Sequence, residues 1–217
     1  MSQMMSGITL FFIVEMIGTV AFACSGAMVA IKKQLDLLGI VVLGVTTACG
    51  GGMLRDILIG RIPPALFVKP VYVLVAFITV MILFLYVKYS SFSMELLASH
   101  GYERVMNLLD AIGLGAFTVV GIDTGIAAGF EAYHFLVIFL GVITGVGGGL
   151  LRDIMAGQTP AVLRKHIYAC ASIAGAMIYV LFMKIMPRNP AMIISAVLVV
   201  VIRVLARHYE WNLPKAM

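Results

Sequence analysis

Long apolar stretches alternate along this chain with short segments that contain Lys, Arg and Pro. A helix that crosses the hydrocarbon core of a bilayer needs about 20 mostly apolar residues. The pattern therefore predicts seven transmembrane helices, over residues 8–31, 37–59, 70–88, 105–129, 135–157, 166–186 and 190–207. The last of these is short, and we expect Arg203 and Arg207 at its end to reach the membrane interface by snorkelling.

Composition supports this assignment. Hydrophobic residues make up 62% of the chain and charged residues 12%, against roughly 45–50% and about 25% in soluble domains. A soluble protein of this size needs a more polar exterior. The net charge of +5 does not indicate nucleic-acid binding, because the basic residues lie in short loops rather than on one basic element.

Metal, cofactor and enzyme chemistry have no support in the sequence. Cys24, Cys49 and Cys170 lie within apolar runs and are interpreted as free, buried thiols. The four histidines form no pair at metal-ligand spacing. No phosphate loop, nucleophile elbow or His-Glu-x-x-His motif occurs. We therefore expect no structural metal site, no cofactor and no enzymatic activity.

The distribution of basic residues predicts the orientation. With seven spans, nine Lys and Arg residues fall on one side of the membrane and four on the other. The more basic side is cytoplasmic under the positive-inside rule. The sequence therefore predicts a multi-pass protein of the cell inner (plasma) membrane, with its N-terminus outside and its C-terminus in the cytoplasm.

One phrase occurs twice. Residues 50–57 read Gly-Gly-Gly-Met-Leu-Arg-Asp-Ile and residues 147–154 read Gly-Gly-Gly-Leu-Leu-Arg-Asp-Ile. Each copy follows a span that contains an acid-x-x-Gly run, headed by Glu15 or Asp110. The two units, residues 8–88 and 105–186, hold three spans each. Because three is odd, the second unit must enter the membrane from the opposite side, which predicts an inverted repeat with a separate seventh helix over residues 190–207.

Three consecutive glycines lie in the second span of each unit: Gly50, Gly51 and Gly52, and Gly147, Gly148 and Gly149. Glycine costs a helix about 1 kcal/mol relative to alanine, and unwound backbone in a membrane must be buried in protein or line water. Carbonyl groups freed by a break would replace part of a cation's hydration shell. The alternative is close helix packing through small residues. The occurrence of two related copies favours an ion path.

Charged residues accompany both glycine runs: Glu15, Arg55 and Asp56 in the first unit, and Asp110, Arg152 and Asp153 in the second. Charges inside a membrane mark functional sites or pair with one another. Helical neighbours point about 100° apart, so Arg55 need not bridge to Asp56, and Glu15, Asp110 and Asp153 are alternative partners. Such pairs would lock the units together. In a second interpretation the charges form a gate that responds to voltage or a ligand.

The doubled Gly-Gly-Gly-x-Leu-Arg-Asp-Ile motif, each copy followed by Gly-x-x-Pro, resembles the prokaryotic branch of the TRIC family, the trimeric intracellular cation channels. The resemblance extends from about Glu15 to the seventh span. It implies an all-α membrane fold of seven helices, with the second and fifth broken at the glycines. It also implies a homotrimer in membrane lipid, with a pore in each protomer for monovalent cations, K⁺ and Na⁺, and a preference for K⁺.

Two other functions remain open from the residues alone. A secondary transporter of a small solute, such as an amino acid, would also contain inverted repeats with broken helices. Its half-helix N-terminus and glycine backbone would hold a carboxylate. A non-conducting scaffold would use the glycines only to pack helices.

Overall fold

The computed structural model describes residues 2–89, 100–164 and 167–211, and the regular structure in these ranges is helical. In chain order the elements are α1 (Ser2–Lys32), α2 (Leu37–Leu58), α3 (Ala65–Val68), α4 (Val71–Tyr89), α5 (His100–Gly125), a π-helical turn (Ile126–Phe130), α6 (His134–Met155), α7 (Ala161–Arg164), α8 (Tyr168–Phe182) and α9 (Arg188–His208).

Six of the described helices are long and apolar enough to cross a membrane: α1, α2, α4, α5 with the π-helical turn, α6 and α9. The sixth predicted span, residues 166–186, contains α8, which has only 15 residues and is shorter than the usual span of about 20. Helix α8 ends at Phe182, and Pro187 then disfavours helical backbone at the residue before it. The predicted seventh span corresponds to α9.

The breaks predicted in the second and fifth spans are not found, because α2 and α6 are continuous through residues 50–52 and 147–149. The glycines instead let these two helices touch. A Cβ atom on Gly51 would overlap the carbonyl group of Thr144, and a Cβ on Gly148 would overlap that of Thr47. Small residues at a membrane helix crossing allow this approach, so close packing explains the glycines in this structure.

The contacts of the two units are reciprocal. Gly51 meets Thr144 as Gly148 meets Thr47, with both pairs of equivalent residues 97 positions apart. The rings of Phe22 in α1 and Phe117 in α5 are 5.3 Å apart between centroids. Reciprocal pairs of this kind are produced by a local two-fold axis.

Helix α9 packs mainly on α5 and α8 and only marginally on α1, so it covers chiefly the second unit. Near one end, Arg188 Nε and the Tyr179 hydroxyl donate to Asp123 Oδ1 over 2.9 and 2.6 Å. Near the other end, the Arg203 guanidinium lies 4.6 Å from the centre of the Tyr168 ring. These polar contacts fasten α9 to the second unit at both ends.

The three cysteines form no disulfide with one another, but they are less buried than the sequence suggests. Cys170 is exposed on α8, and Cys24 and Cys49 are partly buried. The prediction of buried thiols is therefore wrong. The membrane explains the difference, because an apolar run in a spanning helix has a lipid-facing side as well as a buried one.

Candidate functional site

The repeated Arg-Asp pairs form internal ion pairs. Arg55 Nε and Nη2 donate to Asp56 Oδ1 over 3.0 and 2.8 Å. In the second unit, Arg152 Nε and Nη2 lie 2.9 and 2.8 Å from Asp153 Oδ1. All four side chains are buried. The structure thus pairs Arg55 with its sequence neighbour and not with an acid of the other unit, because the arginine side chain is long enough to fold back.

Each paired aspartate also fixes the chain that follows it. Asp56 Oδ2 accepts the backbone N–H of Ala65, and Asp153 Oδ2 accepts that of Ala161, both over 2.7 Å. These alanines begin the short helices α3 and α7. The intervening glycines Gly60 and Gly157 have φ of 72° and 64°, a left-handed conformation that suits glycine. The repeated Gly-x-x-Pro segment therefore turns the chain back onto the aspartate.

In the second unit the span acid is bound by the arginine. Arg152 Nη1 and Nη2 donate to Asp110 Oδ1 and Oδ2 over 2.6 and 3.2 Å, a two-pronged geometry that strengthens the ion pair. Ser25, from the first unit, donates to Asp110 Oδ1 over 2.7 Å and accepts from Arg152 Nη1. We call Asp110, Arg152, Asp153 and Tyr168 the second centre.

The matching acid in the first unit has a different partner. Glu15 interacts with the hydroxyl of Tyr72, and its Oε2 is buried without a hydrogen-bond partner among the described residues. The residue that matches Ser25 by the spacing of the two acids is Val120, which has no hydroxyl group to hold the acid near the arginine. We call Glu15, Arg55, Asp56 and Tyr72 the first centre.

Each centre lines a cavity. The first cavity has a volume of about 40 Å³ and is lined by Glu15, Thr19 and Thr144, among others. The second has a volume of about 580 Å³, and Lys32 and Lys33 lie on its wall with Asp110 and Arg152. The first centre therefore lies in a confined space and the second in a wide one.

The two cavities lie at different positions along α1 and α5. Helix α1 reaches the first cavity at Glu15 and the second at Val29, whereas α5 reaches the second at Asp110 and the first at Phe117. Thus α1 and α5 run in opposite directions between the centres, as an inverted repeat requires. Along α1, Phe22 lies between Glu15 at the first cavity and Val29 at the second, and its ring packs on that of Phe117.

The remaining glycines of the two runs lie close to the centres. A Cβ on Gly52 would be 3.6 Å from Arg55 Nη2, and one on Gly149 would be 3.0 Å from the Tyr168 hydroxyl. On the facing side, Gly50 approaches Leu151, and Gly147 approaches the Cα of Gly51. The backbone here stays helical, so the two glycine runs present no unwound carbonyl groups.

Sequence reasoning missed several residues of the site, namely Ser25, Tyr72, Thr144 and Tyr168. Three of them carry a signal that position-by-position comparison of the units would have found, since Thr144 matches Thr47 at the 97-residue spacing of the glycine runs. Tyr72 and Tyr168 are 96 residues apart, between the spacing of the two acids and that of the two glycine runs. Ser25 carries no such signal, because its counterpart is Val120.

Comparison with protein families gives two separate matches along the chain. The family model described as glycine transporter matches the chain twice, over residues 12–88 and 107–184. Each match falls within one predicted unit, so one copy of the family's pattern corresponds to three of the predicted spans.

Relatives extend over nearly the whole chain. The UPF0126 membrane protein YvgT of Bacillus subtilis is 37% identical over 93% of this chain and 94% of its own length. The UPF0126 inner membrane protein YadS of Escherichia coli is 33% identical over 92% of this chain and 93% of its own. Neither name describes an enzyme.

Solved structures share the fold. A TRIC cation channel superposes with a TM-score of 0.81 at 35% identity, over 95% of this chain and 97% of its own. The TRIC trimeric intracellular cation channel orthologue of Rhodobacter sphaeroides has a TM-score of 0.83 at 30% identity, over 94% of this chain and all of its own. A TRIC counter-ion channel with 17% identity has a TM-score of 0.61 and shares the fold alone.

Proposed function

Because the chain belongs to the UPF0126 membrane proteins, a prokaryotic branch of the TRIC family, we propose that it forms a channel for monovalent cations that prefers K⁺ to Na⁺. The observation that carries this proposal is the likeness, over nearly the whole chain, to solved TRIC cation channels at 28–35% identity. The membrane location has separate support from six long apolar helices and from relatives named as membrane proteins.

We place the ion path within one protomer. It runs from the wide cavity of the second centre, past the crossing of α2 and α6, to the small cavity of the first centre. The two glycine runs form the crossing, and Glu15 and Asp110 supply negative charge at either side of it. The backbone contact of Gly51 and Gly148 with the facing helix, together with Phe22 against Phe117, favours a closed state.

The arginines are compatible with a cation path because their charge is matched. Arg55 is paired with Asp56, and Arg152 with Asp110 and Asp153. An arginine without a partner would repel a cation, since unscreened charges interact strongly in a low-dielectric interior. We propose that opening changes these pairs, so that the same residues serve both charge pairing and gating.

The finer architecture follows the family. We propose that α8 is the sixth of seven spans, although its 15 residues rise only about 22 Å. Local thinning of the bilayer accommodates a short span at modest cost. We propose a homotrimer, as the name of the Rhodobacter sphaeroides orthologue states for that protein. The excess of basic residues on one side favours an external N-terminus and a cytoplasmic C-terminus.

Current through the purified protein in a planar bilayer under a KCl gradient tests this function. Unitary currents that reverse near the K⁺ equilibrium potential support the channel, and reversal under opposed KCl and NaCl measures the K⁺ preference. Ile82→Ala, on the exposed face of α4, is the matched control and should conduct as the unmodified protein does.

The principal competing function is transport of a small solute, since the matching family model is described as glycine transporter. Silent bilayers together with saturable glycine uptake into liposomes from the same preparation would overturn the channel and support a transporter. If neither activity is found while the protein stays folded, the chain is a non-conducting scaffold.

A further inference from the structure

We propose that Glu15, Thr19 and Thr144 form a binding site for one partly dehydrated monovalent cation in the small cavity of the first centre. This inference deepens the proposed function and rests on it for the identity of the ion as the permeating species. The second centre, despite its matching residues, has no equivalent site.

One oxygen of the Glu15 carboxyl group lacks a partner among the described residues. Glu15 Oε2 is buried, and none of the described residues hydrogen-bonds to it. The carboxyl group also contacts Tyr72, which fixes its position on the cavity wall. A buried charged oxygen without a partner is costly, and a cation in the adjoining cavity would satisfy it.

The hydroxyl groups of Thr19 and Thr144 both donate their protons within their own helices. The Thr19 hydroxyl donates its proton to the backbone oxygen of Glu15 over 2.8 Å, and the Thr144 hydroxyl donates to that of Leu140 over 2.5 Å. A hydroxyl group has one proton and two lone pairs. Because both protons are donated to the helix backbone, each hydroxyl oxygen keeps lone pairs that can accept, and both threonines line the cavity.

The wall of the cavity carries two acidic residues and one basic residue. Arg55 also lines it, but Arg55 is bonded to Asp56, which lines the same cavity. Among the residues that line the cavity, this positive charge is matched, and the charge of Glu15 is in excess. Lys69 interacts electrostatically with Glu15 but is not one of the lining residues. One excess negative charge suits a monovalent ion, whereas Ca²⁺ takes six to eight oxygens and favours several carboxylates.

The size of the cavity limits the hydration of the ion. A volume of about 40 Å³ holds a cation with about two waters, since one water needs roughly 10–15 Å³ on this scale. An ion in this space must exchange most of its hydration shell for protein oxygens. Its affinity will therefore depend on the carboxylate and the hydroxyl groups named above.

The second centre lacks these conditions. Both oxygens of Asp110 accept hydrogen bonds from Arg152, and Ser25 donates to one of them. Its cavity is wide and has Lys32 and Lys33 on its wall. Asp110 is already bonded by protein groups, and the positive charge of the two lysines disfavours a bound cation. Of the two centres in the described part of the chain, only the first is therefore proposed to hold a cation.

Rubidium, a K⁺ substitute with a usable anomalous signal, tests the site directly. Crystals of the full chain grown in RbCl should give an anomalous peak between Glu15 and Thr144 and none at Asp110. Glu15→Gln should abolish the peak and Thr144→Val should weaken it. Thr47→Val is the matched control, because Thr47 bonds Leu43 as Thr144 bonds Leu140 but does not line this cavity.

A solution measurement covers the case in which Glu15→Gln does not fold. The melting temperature of the unmodified protein should rise in RbCl or KCl relative to N-methylglucamine chloride, and Thr144→Val should reduce that rise at least twofold while Thr47→Val keeps it. A peak that survives Glu15→Gln, or an equal rise in all three proteins, overturns the site. A Glu15-dependent peak with silent bilayers retains the site and overturns the channel.

Discussion

The first and second centres are built from matching residues, yet their acids have different partners. Where the two units are identical, in the Arg-Asp pair and its contact with the following short helix, the bonding is the same. Where they differ, Asp110 is held by Arg152 and Ser25, whereas Glu15 interacts with Tyr72. The two units therefore share the Arg-Asp pair and its bond to the following short helix. They differ in the acid: Asp110 of the second centre is bonded by protein groups, which we call a sealed acid, whereas Glu15 of the first centre can still bind an ion, which we call an available acid.

The arginines should separate the two centres most strongly. Arg152→Met leaves Asp110 and Asp153 without their counter-ion, whereas Arg55→Met removes the ion-pair partner of Asp56 alone. Breaking a buried pair costs about 3–5 kcal/mol, and we expect Arg152→Met to reach the upper part of that range and Arg55→Met the lower part. Equilibrium unfolding in mixed detergent micelles measures the difference.

The control for both arginine variants is Arg61→Met, because Arg61 is exposed in the loop after α2. Its unfolding free energy should change by less than about 0.5 kcal/mol. If Arg55→Met costs as much as Arg152→Met, the two centres are energetically equivalent, and the distinction between a sealed and an available acid is lost.

The sequence predicted the helices well wherever apolar length alone decides them. Residues 37–59 and 135–157 became Leu37–Leu58 and His134–Met155. The predicted glycine breaks failed for a physical reason. The cost of glycine is measured in water, where exposed backbone can bond to solvent, whereas a membrane offers the backbone no such partner and favours the intact helix.

The site was only partly predictable. Glu15, Asp110 and both Arg-Asp pairs stand out as charges in apolar spans, and their repetition marks them further. Their partners do not stand out, because the choice between Ser25 and Val120 beside the acid depends on which faces of α1 and α5 meet. That choice is a matter of packing between the two units, and no spacing within one unit encodes it.

The glycines of the helix crossing give the next largest effect. Gly51→Ala and Gly148→Ala each place a Cβ against a carbonyl group of the facing helix, so we expect a loss of about 1–3 kcal/mol from overpacking. The two losses should be similar, because the contacts are reciprocal. Unfolding in mixed micelles measures both.

Gly52→Ala is the matched control for the crossing. Its Cβ would make only an ordinary contact, 3.6 Å from Arg55, and alanine favours a helix over glycine by about 1 kcal/mol. We expect Gly52→Ala to be neutral or stabilising. If Gly52→Ala destabilises the protein as much as Gly51→Ala does, the whole run needs glycine backbone, as expected for a helix break. In that case the single close contact at Gly51 would not explain the glycines.

The tyrosines should give the smallest and most specific difference. Tyr72→Phe removes the hydroxyl group that interacts with Glu15. A buried hydrogen bond to a charged group contributes about 1.5–3 kcal/mol to stability. Because Tyr72 is only partly buried, we expect Tyr72→Phe to lower the free energy of unfolding by about 1 kcal/mol. Tyr168→Phe should cost less than about 0.5 kcal/mol, because the Tyr168 hydroxyl has no hydrogen-bond partner among the described residues and phenylalanine keeps a ring face for Arg203.

Double-mutant cycles decide whether these tyrosine effects belong to the acids. Tyr72→Phe should lose its effect in a Glu15→Gln background, because the two changes remove the same interaction. Tyr168→Phe and Asp110→Asn should be additive, since Asp110 is bound by Arg152 and Ser25 instead. Coupling between Tyr168 and Asp110 as large as that between Tyr72 and Glu15 would mean that both acids bond to their tyrosine, and the contrast between the centres would then be one of cavity size alone.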